Sequence, residues 1–389
     1  MAKGDIVKPV RIQELIMQKG YGYTGKALSI PSGAIRSPQG KRVSSSQTID
    51  IDGKQLKLTN LEKVLYPATG FAKGQVIDYY ARIAPVLIPH LTRRPVTLKR
   101  YPEGVDKGYF FEKNTTKYRP DWVQVAPIWS EGNNRNVNYV LVNDLPTLIW
   151  VANLASIELH PSLSLAKNID SPTLIAFDLD PGPPADIVQC CQVAFWLREI
   201  FDHFGLKSFA KTSGSKGLQI YVPLNTPSSY DVTKQFAHAL ARLLENEHKD
   251  LVVSDMKKSL RVGKVLVDWS QNDEHKTTIG VYSLRAREHP TVSTPVTWEE
   301  VERVFKKKDP KMLVFEAPQV IERVEKLGDL FEPVLTLKQK LPKLPGIEGS
   351  QAEAIASGLD LVAQAEGSAV PNRTHPPTRS SARKKARKL

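Results

Sequence analysis

Two aspartates, Asp178 and Asp180, stand two positions apart at the end of an apolar run, and Asp268 follows a second apolar run. A buried strand is predicted over 173–177, which would turn both acidic side chains to one face. Like charges near a core are costly unless a cation or hydrogen-bond donors neutralise them. Divalent ions do so with oxygen ligands and keep positions for substrate phosphates. The pattern predicts metal chemistry, with a capped strand end or an exposed turn as the alternatives.

A turn rich in glycine, serine and lysine, residues 211–217, precedes a predicted strand. Its amides, hydroxyls and ammonium groups together could cradle a triphosphate. The segment is neither a Walker loop nor a Rossmann fingerprint. Taken alone, it predicts either a phosphate site or an ordinary turn.

Two lysines and two aromatic residues form further candidate sites. Lys63 lies in a short motif, and Lys73 stands just before Gly74, where a helix is predicted to open. Helix amino-termini attract anions, and nearby lysines strengthen that attraction. Phe110 and Phe111 lie among basic residues, as base-stacking aromatics do. The alternatives are that both lysines are solvated surface charges and that at least one phenylalanine belongs to the core.

The elements that must position these groups are read from the spacing of apolar residues. Helical periodicity covers 74–91, 187–204 and 231–247. Mixed helices and strands in this order predict an α+β or α/β core. The other predicted elements are a short helix at 12–19, strands at 95–99, 137–142, 218–223 and 264–269, a helix around 147–159, and a charged helical pattern over 297–330.

Composition favours a polyanionic partner. The chain has 389 residues, and 54 Lys+Arg against 41 Asp+Glu leave a formal net charge of +13. A basic carboxyl-terminal tail contributes to this excess, and a second cluster, 93–100, lies well inside the chain. Adjacent Cys190 and Cys191 cannot form a useful staple, which predicts a reducing compartment. With no signal peptide or membrane-length apolar segment visible, a soluble cytoplasmic protein is predicted, with no membrane partner.

Shifts in composition divide the chain into four parts. Residues 1–50 form a basic, Gly/Ser-rich amino-terminal extension, and 51–305 form the core. Residues 306–342 form a helical or extended carboxyl-terminal segment. Residues 343–389, rich in Pro, Ser, Ala and basic residues, are predicted to be a disordered basic tail.

Six short motifs in collinear order carry a family resemblance. The chain resembles the polymerase domain of bacterial DNA ligase D, a member of the archaeo-eukaryotic primase superfamily, over about 55–303. The resemblance implies an α+β primase-type catalytic core with a mixed β-sheet flanked by helices, beside an amino-terminal subdomain, so that 51–305 would be the polymerase domain. No ligase signature follows, which predicts a stand-alone polymerase. The motifs are LEKVLYP at 61–67, FFEK at 110–113, FDLDPG at 177–182, TSGSKGL at 212–218, VDWSQN at 267–272 and YSLR at 282–285.

The resemblance also implies a reaction and its metal ligands. Asp178, Asp180 and Asp268 match carboxylates that hold two divalent ions, Mn²⁺ or Mg²⁺. One ion would lower the pKa of a primer 3′-hydroxyl, and the other would neutralise the triphosphate and the leaving pyrophosphate. The implied substrates are NTPs or dNTPs, and the reaction is nucleotidyl transfer.

Further site residues follow from the same resemblance. Lys63 and Lys73 match a pair that grips a 5′-phosphate downstream of a gap or break. His160 matches a histidine close to the metal site, although a polar residue ending a helix before Pro161 is an equal alternative. The residues implied to contact the nucleotide are Ser213, Lys216, Arg261, Gln271 and Arg285 for charge-assisted contacts, Phe110 and Phe111 for base stacking, and Lys99 near the sugar.

One position departs from the family pattern. Relatives read Ser-Gly-Ser-Lys-Gly-Leu-His, and this chain has Gln219 where the histidine would contact the triphosphate. Glutamine can donate a hydrogen bond but carries no charge. The expectation is weaker nucleotide use than in relatives, by about one to two decades, the usual worth of a charge-assisted contact. On this view Gln219→His raises incorporation.

The sequence therefore predicts a metal-dependent, template-directed polymerase that extends 3′ ends at DNA gaps or breaks, favouring ribonucleotides. The resemblance implies a bacterial, nucleoid-associated enzyme of non-homologous end joining whose partners are DNA ends bearing a 5′-phosphate, Ku and a separate DNA ligase. Primase or terminal transferase activity is one alternative. A catalytically weak DNA-end-binding scaffold is another, and the three aspartates argue against it.

Overall fold

The computed structural model describes residues 46–342. The helix predicted at 12–19, most of the amino-terminal extension and the tail from 343 lie outside the described residues. None of the helices within 46–342 is long and apolar enough to cross a membrane.

Strands and helices are interleaved along the described chain. The strands are β1 (Ser46–Ile51), β2 (Lys54–Thr59), β3 (Val64–Tyr66), β4 (Phe71–Ala72), β5 (Pro95–Arg100), β6 (Phe110–Glu112), β7 (Val125–Ser130), β8 (Arg135–Leu141), β9 (Ser156–Pro161), β10 (Ser164–Leu165), β11 (Asn168–Pro172), β12 (Leu174–Pro181), β13 (Phe209–Thr212), β14 (Leu218–Pro223), β15 (Val252–Val253), β16 (Val265–Asp268) and β17 (Pro295–Val296). The helices are α1 (Lys73–Leu91), α2 (Leu145–Asn153), α3 (Ile187–His203), α4 (Tyr230–Glu247), α5 (Trp298–Lys307), α6 (Ala317–Leu327) and α7 (Glu332–Thr336).

A six-stranded mixed sheet carries the paired aspartates at its centre. Its order is β15-β16-β12-β14-β13-β17, and all neighbours are antiparallel except β15 and β16. On one face Phe177 packs against Phe201 of α3, with ring centroids 5.4 Å apart. Because side chains alternate along β12, Asp178 and Asp180 point to the opposite face. The predicted sharing of one face is confirmed, but the strand continues through both aspartates instead of ending before them.

A second sheet belongs to the amino-terminal half. Its order is β6-β5-β8-β7, and β9 pairs with β5 on the other side. Helix α1 begins at Lys73, one residue before the predicted start, and ends at Leu91 as predicted. This sheet places β6, with Phe110 and Phe111, beside β5, with Lys99.

The helix predicted around 147–159 is wrong in its second half. Helix α2 ends at Asn153, and Ala155 adopts a left-handed backbone conformation with φ 57°. The chain then enters β9, which contains Ile157 and Leu159. Short apolar runs fit a buried strand as well as a helix, so periodicity could not separate the two. His160 therefore lies on a strand, and its alternative role at a helix end is excluded.

The carboxyl-terminal segment packs back onto the core through Asp329. Its Oδ2 lies 2.8 Å from His90 Nε2 on α1, and Tyr282 donates its hydroxyl proton to Oδ1 at 2.7 Å. The backbone carbonyl of Tyr282 in turn accepts a hydrogen bond from Tyr79 at 2.8 Å. These contacts fix the segment that leads to Arg285, one of the predicted nucleotide contacts.

Candidate active site

The three aspartates lie on neighbouring strands in direct register. Asp178 on β12 is the Cα partner of Asp268 on β16, and Asp180 lies two residues further along β12. On its other side Asp178 is the partner of Gln219, which is in turn the partner of Lys211. Directly opposed residues on neighbouring strands share a face, so Lys211, Gln219, Asp178 and Asp268 form one row across the sheet.

The electrostatics of this row suit a bound cation. Burial, followed by the charges of Asp180 and Asp268, raises the pKa of Asp178 to about 7. Burial and Asp268 also raise the pKa of Asp180, while Arg261 and Arg285 oppose that shift. Asp178 Oδ1 is buried and has no hydrogen-bond partner. An unpartnered carboxylate oxygen beside like charges is the kind of donor that a hard divalent ion neutralises.

Asp268 is turned toward its own chain. Its Oδ1 accepts hydrogen bonds from the Ser270 amide at 2.9 Å and the Ser270 hydroxyl at 2.6 Å, and its Oδ2 accepts one from Gln271 Nε2 at 2.8 Å. Within 46–342 no three His, Cys, Asp or Glu side chains are grouped so that they could hold a metal ion. The ligand chemistry of the three aspartates fits a divalent ion, and the Asp268 carboxylate would have to turn away from Ser270 and Gln271 for all three to share it.

Asn272 holds the aspartate-bearing strand in place, and sequence reasoning missed it. Its Oδ1 accepts from the Ala176 amide at 2.9 Å and its Nδ2 donates to the Ala176 carbonyl at 2.8 Å. The side chain thereby acts as a neighbouring strand just beyond the pairing of Asp178 with Asp268. Its full burial is the observation that marks it as structural.

The turn at 213–217 is closed by the hydroxyl of Ser213. This oxygen accepts hydrogen bonds from the amides of Ser215 at 3.2 Å and Gly217 at 3.1 Å, so both amides point inward. Arg285 Nη1 donates to the Ser213 carbonyl at 2.9 Å, and Arg287 donates to the Ser215 hydroxyl. Lys216 is exposed at the end of the turn. The turn therefore offers the Ser213 proton, the Lys216 ammonium and two arginines to an anion.

Gly217 is required by close packing, which gives a first prediction. A Cβ at this position would lie 2.1 Å from the backbone oxygen of Leu179, between the two aspartates. We expect Gly217→Ala to lower the free energy of unfolding by about 1–3 kcal/mol, as other overpacked sites do. Gly132→Ala is the matched control, because nothing lies within 4 Å of its added Cβ. Denaturant unfolding would contradict the prediction if both variants lost the same small amount.

A buried glutamate, Glu158, organises the cationic side of the site, and sequence reasoning missed it. Its Oε2 lies 2.9 Å from His160 Nε2 and 3.8 Å from Lys99 Nζ, while its Oε1 lies 3.4 Å from Arg285 Nε. The amide of Ala286 donates to Oε1 at 3.1 Å. Burial opposes ionisation, but the hydrogen bond from His160 and the charges of Arg285, His160 and Lys99 together outweigh it and lower the pKa of Glu158 to about 2.

His160 contacts Glu158 beside the two cations, Lys99 and Arg285. Its described contacts are with Glu158 and with the ring of Phe111, whose centroid is 6.2 Å away. Burial lowers the pKa of His160 against the opposing charge of Glu158. The described contacts of His160 do not include the three aspartates. Arg285 links the two groups, because it interacts with both Glu158 and Asp180.

The two phenylalanines are exposed, so the alternative that one of them is a core residue is excluded. Phe110 is 45% and Phe111 is 55% exposed. Lys99 Nζ lies over the rings of Tyr109 at 4.1 Å and Phe111 at 5.6 Å. These rings form an aromatic wall beside the cationic group. Exposed rings next to cations are surfaces on which nucleobases stack.

Arg261 faces the aspartates from a loop on the β16 side. Its Nη2 donates to the Met256 carbonyl at 2.6 Å, and its Nε is buried without a partner. A Cβ on Gly182 would lie 1.9 Å from the Arg261 carbonyl, so the Asp-Pro-Gly segment and this loop are in close contact. The charge of Arg261 opposes the rise in the pKa of Asp180.

Lys63 and Lys73 form a separate group at the start of α1. Lys63 Nζ lies 2.8 Å from Glu103 Oε2, and Lys73 Nζ donates to the Thr59 carbonyl at 2.7 Å. Burial and the charge of Lys63 lower the pKa of Lys73 to about 8. The first helix amides are occupied, because Lys73 N donates to Lys63 O and Gly74 N to Leu61 O. An anion bound here would therefore be held by the two lysine side chains. Lys73 is buried, so the alternative that it is a solvated surface charge is excluded.

Comparison with known proteins gives concordant results. A family model described as LigD, primase-polymerase domain, matches residues 72–331. The multifunctional non-homologous end joining protein LigD of Mycolicibacterium smegmatis is 42% identical over 283 residues, which cover 72% of this chain and 36% of that protein. The bifunctional non-homologous end joining protein LigD of Bacillus subtilis is 32% identical over 275 residues, which cover 70% of this chain and 43% of that protein. The chain thus spans less than half the length of these relatives.

A solved structure is similar over the same region. The polymerase domain from Mycobacterium tuberculosis ligase D, in complex with DNA, aligns with a TM-score of 0.67 and 38% identity. The alignment covers 73% of this chain and 99% of that domain. The α+β fold with its primase-type core, expected from the sequence, is confirmed by this similarity.

Proposed function

The chain belongs to the LigD primase-polymerase domain family, and from that premise we propose that it is a polymerase that adds nucleotides to 3′ ends at DNA gaps or double-strand breaks. The observation that carries the proposal is the row of aspartates with a buried, unpartnered Asp178 oxygen, beside a group of cations. Nucleotidyl transfer needs both parts, since carboxylates hold metal ions and cations receive the triphosphate.

Asp178, Asp180 and Asp268 would hold two divalent ions, Mn²⁺ or Mg²⁺. Such ions lower the pKa of an attacking hydroxyl and neutralise charge on the transferred phosphate. The protein's own groups position the carboxylates and balance their charge. Asn272 and Gly217 keep β12 at a fixed position, and Arg261 and Arg285 balance the carboxylate charge of Asp180.

The incoming nucleotide would lie between the turn and the aromatic wall. Ser213, Lys216 and Arg285 would bind its phosphates through charge-assisted hydrogen bonds, with Arg287 as an added contact beside Ser215. Phe110 and Phe111 would stack on bases, and Lys99 and His160, held by Glu158, would face the sugar. Gln271 would contact the nucleotide only after releasing Asp268. A preference for ribonucleotides is part of the proposal.

The biological setting that we propose is non-homologous end joining in the bacterial cytoplasm at the nucleoid, with Ku and a DNA ligase as partners. The names of the relatives state non-homologous end joining for those proteins. The net charge of +13 supports a nucleic-acid partner for this chain.

The test is primer extension across a gapped duplex that bears a downstream 5′-phosphate. Mn²⁺ and either NTPs or dNTPs are supplied, and the Asp178→Ala/Asp180→Ala double variant is run in parallel. Templated addition that vanishes in the variant supports the polymerase and its metal ligands together, and the two nucleotide types decide the sugar preference. If the folded parent binds the gap but adds nothing, the end-binding scaffold replaces this proposal. Addition without a template would instead identify a terminal transferase.

A second prediction concerns the 5′-phosphate. Lys63→Met should weaken binding to a 5′-phosphorylated gap by about tenfold or more, the worth of one charge-assisted contact, and leave binding to a 5′-hydroxyl gap nearly unchanged. Glu103→Gln should do the opposite, because it frees Lys63 from an exposed ion pair. That gain is at most about fivefold, since such pairs contribute about 1 kcal/mol or less.

Fluorescence anisotropy at several salt concentrations measures both effects. Lys107→Met is the matched control, because Lys107 is an exposed lysine paired only with its neighbour Asp106 among the described ion pairs. Loss of a generic attraction weakens both DNA types equally and reduces the salt slope. Equal losses for Lys63→Met on both DNA types would therefore exclude a 5′-phosphate site at Lys63.

A further inference from the structure

Lys211 is a buried lysine at the end of the row that contains Asp178 and Asp268, and the proposed reaction gives it no role. Its side chain is 1% exposed, and none of the ion pairs within 46–342 includes it. Burying an amine is costly unless every N–H finds an acceptor. A lysine retained in the interior beside an acidic row calls for a specific role.

The two acceptors of Lys211 are neutral and well defined. Its Nζ donates to Gln219 Oε1 at 2.5 Å and to Ser293 Oγ at 2.7 Å. Ser293 gives its own proton to the Thr212 carbonyl at 2.9 Å, so only its lone pairs face Lys211. Both hydrogen bonds therefore run outward from the amine. A neutral amine has enough N–H groups for both, so this arrangement does not depend on the charge state of Lys211.

These contacts orient the Gln219 amide. Its Oε1 accepts from Lys211 and also from the Tyr221 hydroxyl at 3.3 Å, which leaves the NH₂ group for the other side. There it donates to the Thr278 hydroxyl at 3.4 Å and faces Asp178, the register partner of Gln219 on β12, whose pKa it lowers. The reverse orientation would place the amide oxygen against a carboxylate and a hydrogen against the amine. Lys211 thus selects the orientation in which the NH₂ group of Gln219, and not its oxygen, faces Asp178.

We propose that Lys211 is a positioning residue that acts through Gln219 on Asp178. It holds the amide so that its NH₂ fixes the Asp178 carboxylate for metal binding. The proposal rests on the proposed polymerase function where it predicts a rate of nucleotide addition. Its prediction for Mn²⁺ affinity does not depend on that function. Lys211 is not a catalytic residue, because its burial keeps it from the substrate. It also revises the expectation for Gln219, because the amide oxygen of glutamine supplies an acceptor to this buried lysine.

This proposal reverses the expected effect of Gln219→His on nucleotide incorporation. A protonated imidazole has two N–H donors and no acceptor, so it would oppose the Lys211 amine, and the neutral ring that could accept from Lys211 brings no charge to the triphosphate. Gln219→His in the parent background should therefore lower nucleotide incorporation. In a Lys211→Met background the conflict is absent, and the same substitution should raise incorporation. Contacting residues commonly show such coupling in double-mutant cycles.

The experiment compares Lys211→Met, Gln219→His and the double variant with the parent. Calorimetry of Mn²⁺ binding to the protein without nucleotide is the first readout, and kcat and KM for the nucleotide are the second. Lys211→Met should lower both the Mn²⁺ affinity and kcat by about tenfold to a hundredfold, the effect of losing one hydrogen bond to a charged group. The change in KM should be smaller. Its melting temperature should change by only a few degrees, because removing a buried amine offsets the loss of the hydrogen bonds to Gln219 and Ser293.

Lys54→Met is the control, because Lys54 forms a part-buried ion pair with Asp144 on the amino-terminal half. It should keep the parent's Mn²⁺ affinity. Parent-like Mn²⁺ binding by Lys211→Met, or faster incorporation by Gln219→His alone, would overturn the proposal. If Lys211→Met does not fold, the test is whether Gln219→His lowers or raises nucleotide incorporation. A parent that binds Mn²⁺ but adds no nucleotide would overturn the polymerase function, and the Mn²⁺ comparison would still decide the role of Lys211.

Discussion

Asp178→Asn is expected to abolish nucleotide addition and to stabilise the metal-free protein above neutral pH. Loss of a metal ligand should lower kcat by at least about a thousandfold, since metal ions supply several kcal/mol of transition-state stabilisation. The stabilisation has a different cause. Asparagine cannot ionise, so it removes a buried negative charge that faces Asp180 and Asp268.

The sign of the pH dependence follows from the raised pKa. The folded protein raises the pKa of Asp178 from 3.8 to about 7. A group with a raised folded pKa contributes stability that is fully present below about pH 4 and is lost as pH rises through about 7. In EDTA the parent should therefore lose stability between these values. Asp178→Asn should lose less over that range and melt at least roughly 3 °C higher at pH 8.

Thermal unfolding in EDTA from pH 5 to pH 8 measures this, with Asp144→Asn as the control of opposite sign. Hydrogen bonds from Lys54 and Thr147, together with the charge of Lys54, outweigh burial and lower the pKa of Asp144. Its contribution is therefore present above the unfolded pKa, and Asp144→Asn should destabilise the protein at pH 8. Mn²⁺ should raise the melting temperature of the parent and not that of Asp178→Asn. If the melting temperatures of the parent and Asp178→Asn changed equally with pH, charge repulsion among the three aspartates would not destabilise the metal-free protein.

Glu158→Gln should cause the largest loss outside the metal ligands. The glutamine is nearly isosteric, but it leaves Lys99, His160 and Arg285 without their shared negative charge. Breaking a buried ion pair by removing one partner costs about 3–5 kcal/mol. The melting temperature should fall by several degrees. Nucleotide addition should fall by about a hundredfold, because the displaced cations lose their charge-assisted contacts.

Thermal unfolding and steady-state kinetics separate the two effects. Glu300→Gln is the matched control: Glu300 pairs with Arg323 and caps α5, away from the site, so it should lower stability and leave kcat and KM unchanged. The nucleotide KM of Glu158→Gln should rise at temperatures where the variant is fully folded. If Glu158→Gln lost stability but kept parental kinetics when folded, the cationic group would be structural and not part of the nucleotide site.

Local pattern determined much of this protein. The two-residue spacing of Asp178 and Asp180 predicted a shared face, and apolar periodicity predicted α1, α3 and α4 nearly to their ends. Both predictions depend only on residues that are neighbours in sequence, where the repeat of the backbone fixes the direction of each side chain. The same reasoning failed at Ala155, because a single residue with φ 57° ends a helix without a glycine or proline to mark it.

Only the tertiary structure decided which partner each polar group has. Strand register placed Asp268 opposite Asp178 and Lys211 beside Gln219, and Glu158 received an amide 128 residues away in the chain. The hydroxyl of Ser213 turned inward, and Lys63 met Glu103. The motifs identified residue types suited to metal and phosphate chemistry. A donor or acceptor acquires its function from the group opposite it, and distant strands and loops bring that group there only when the chain folds.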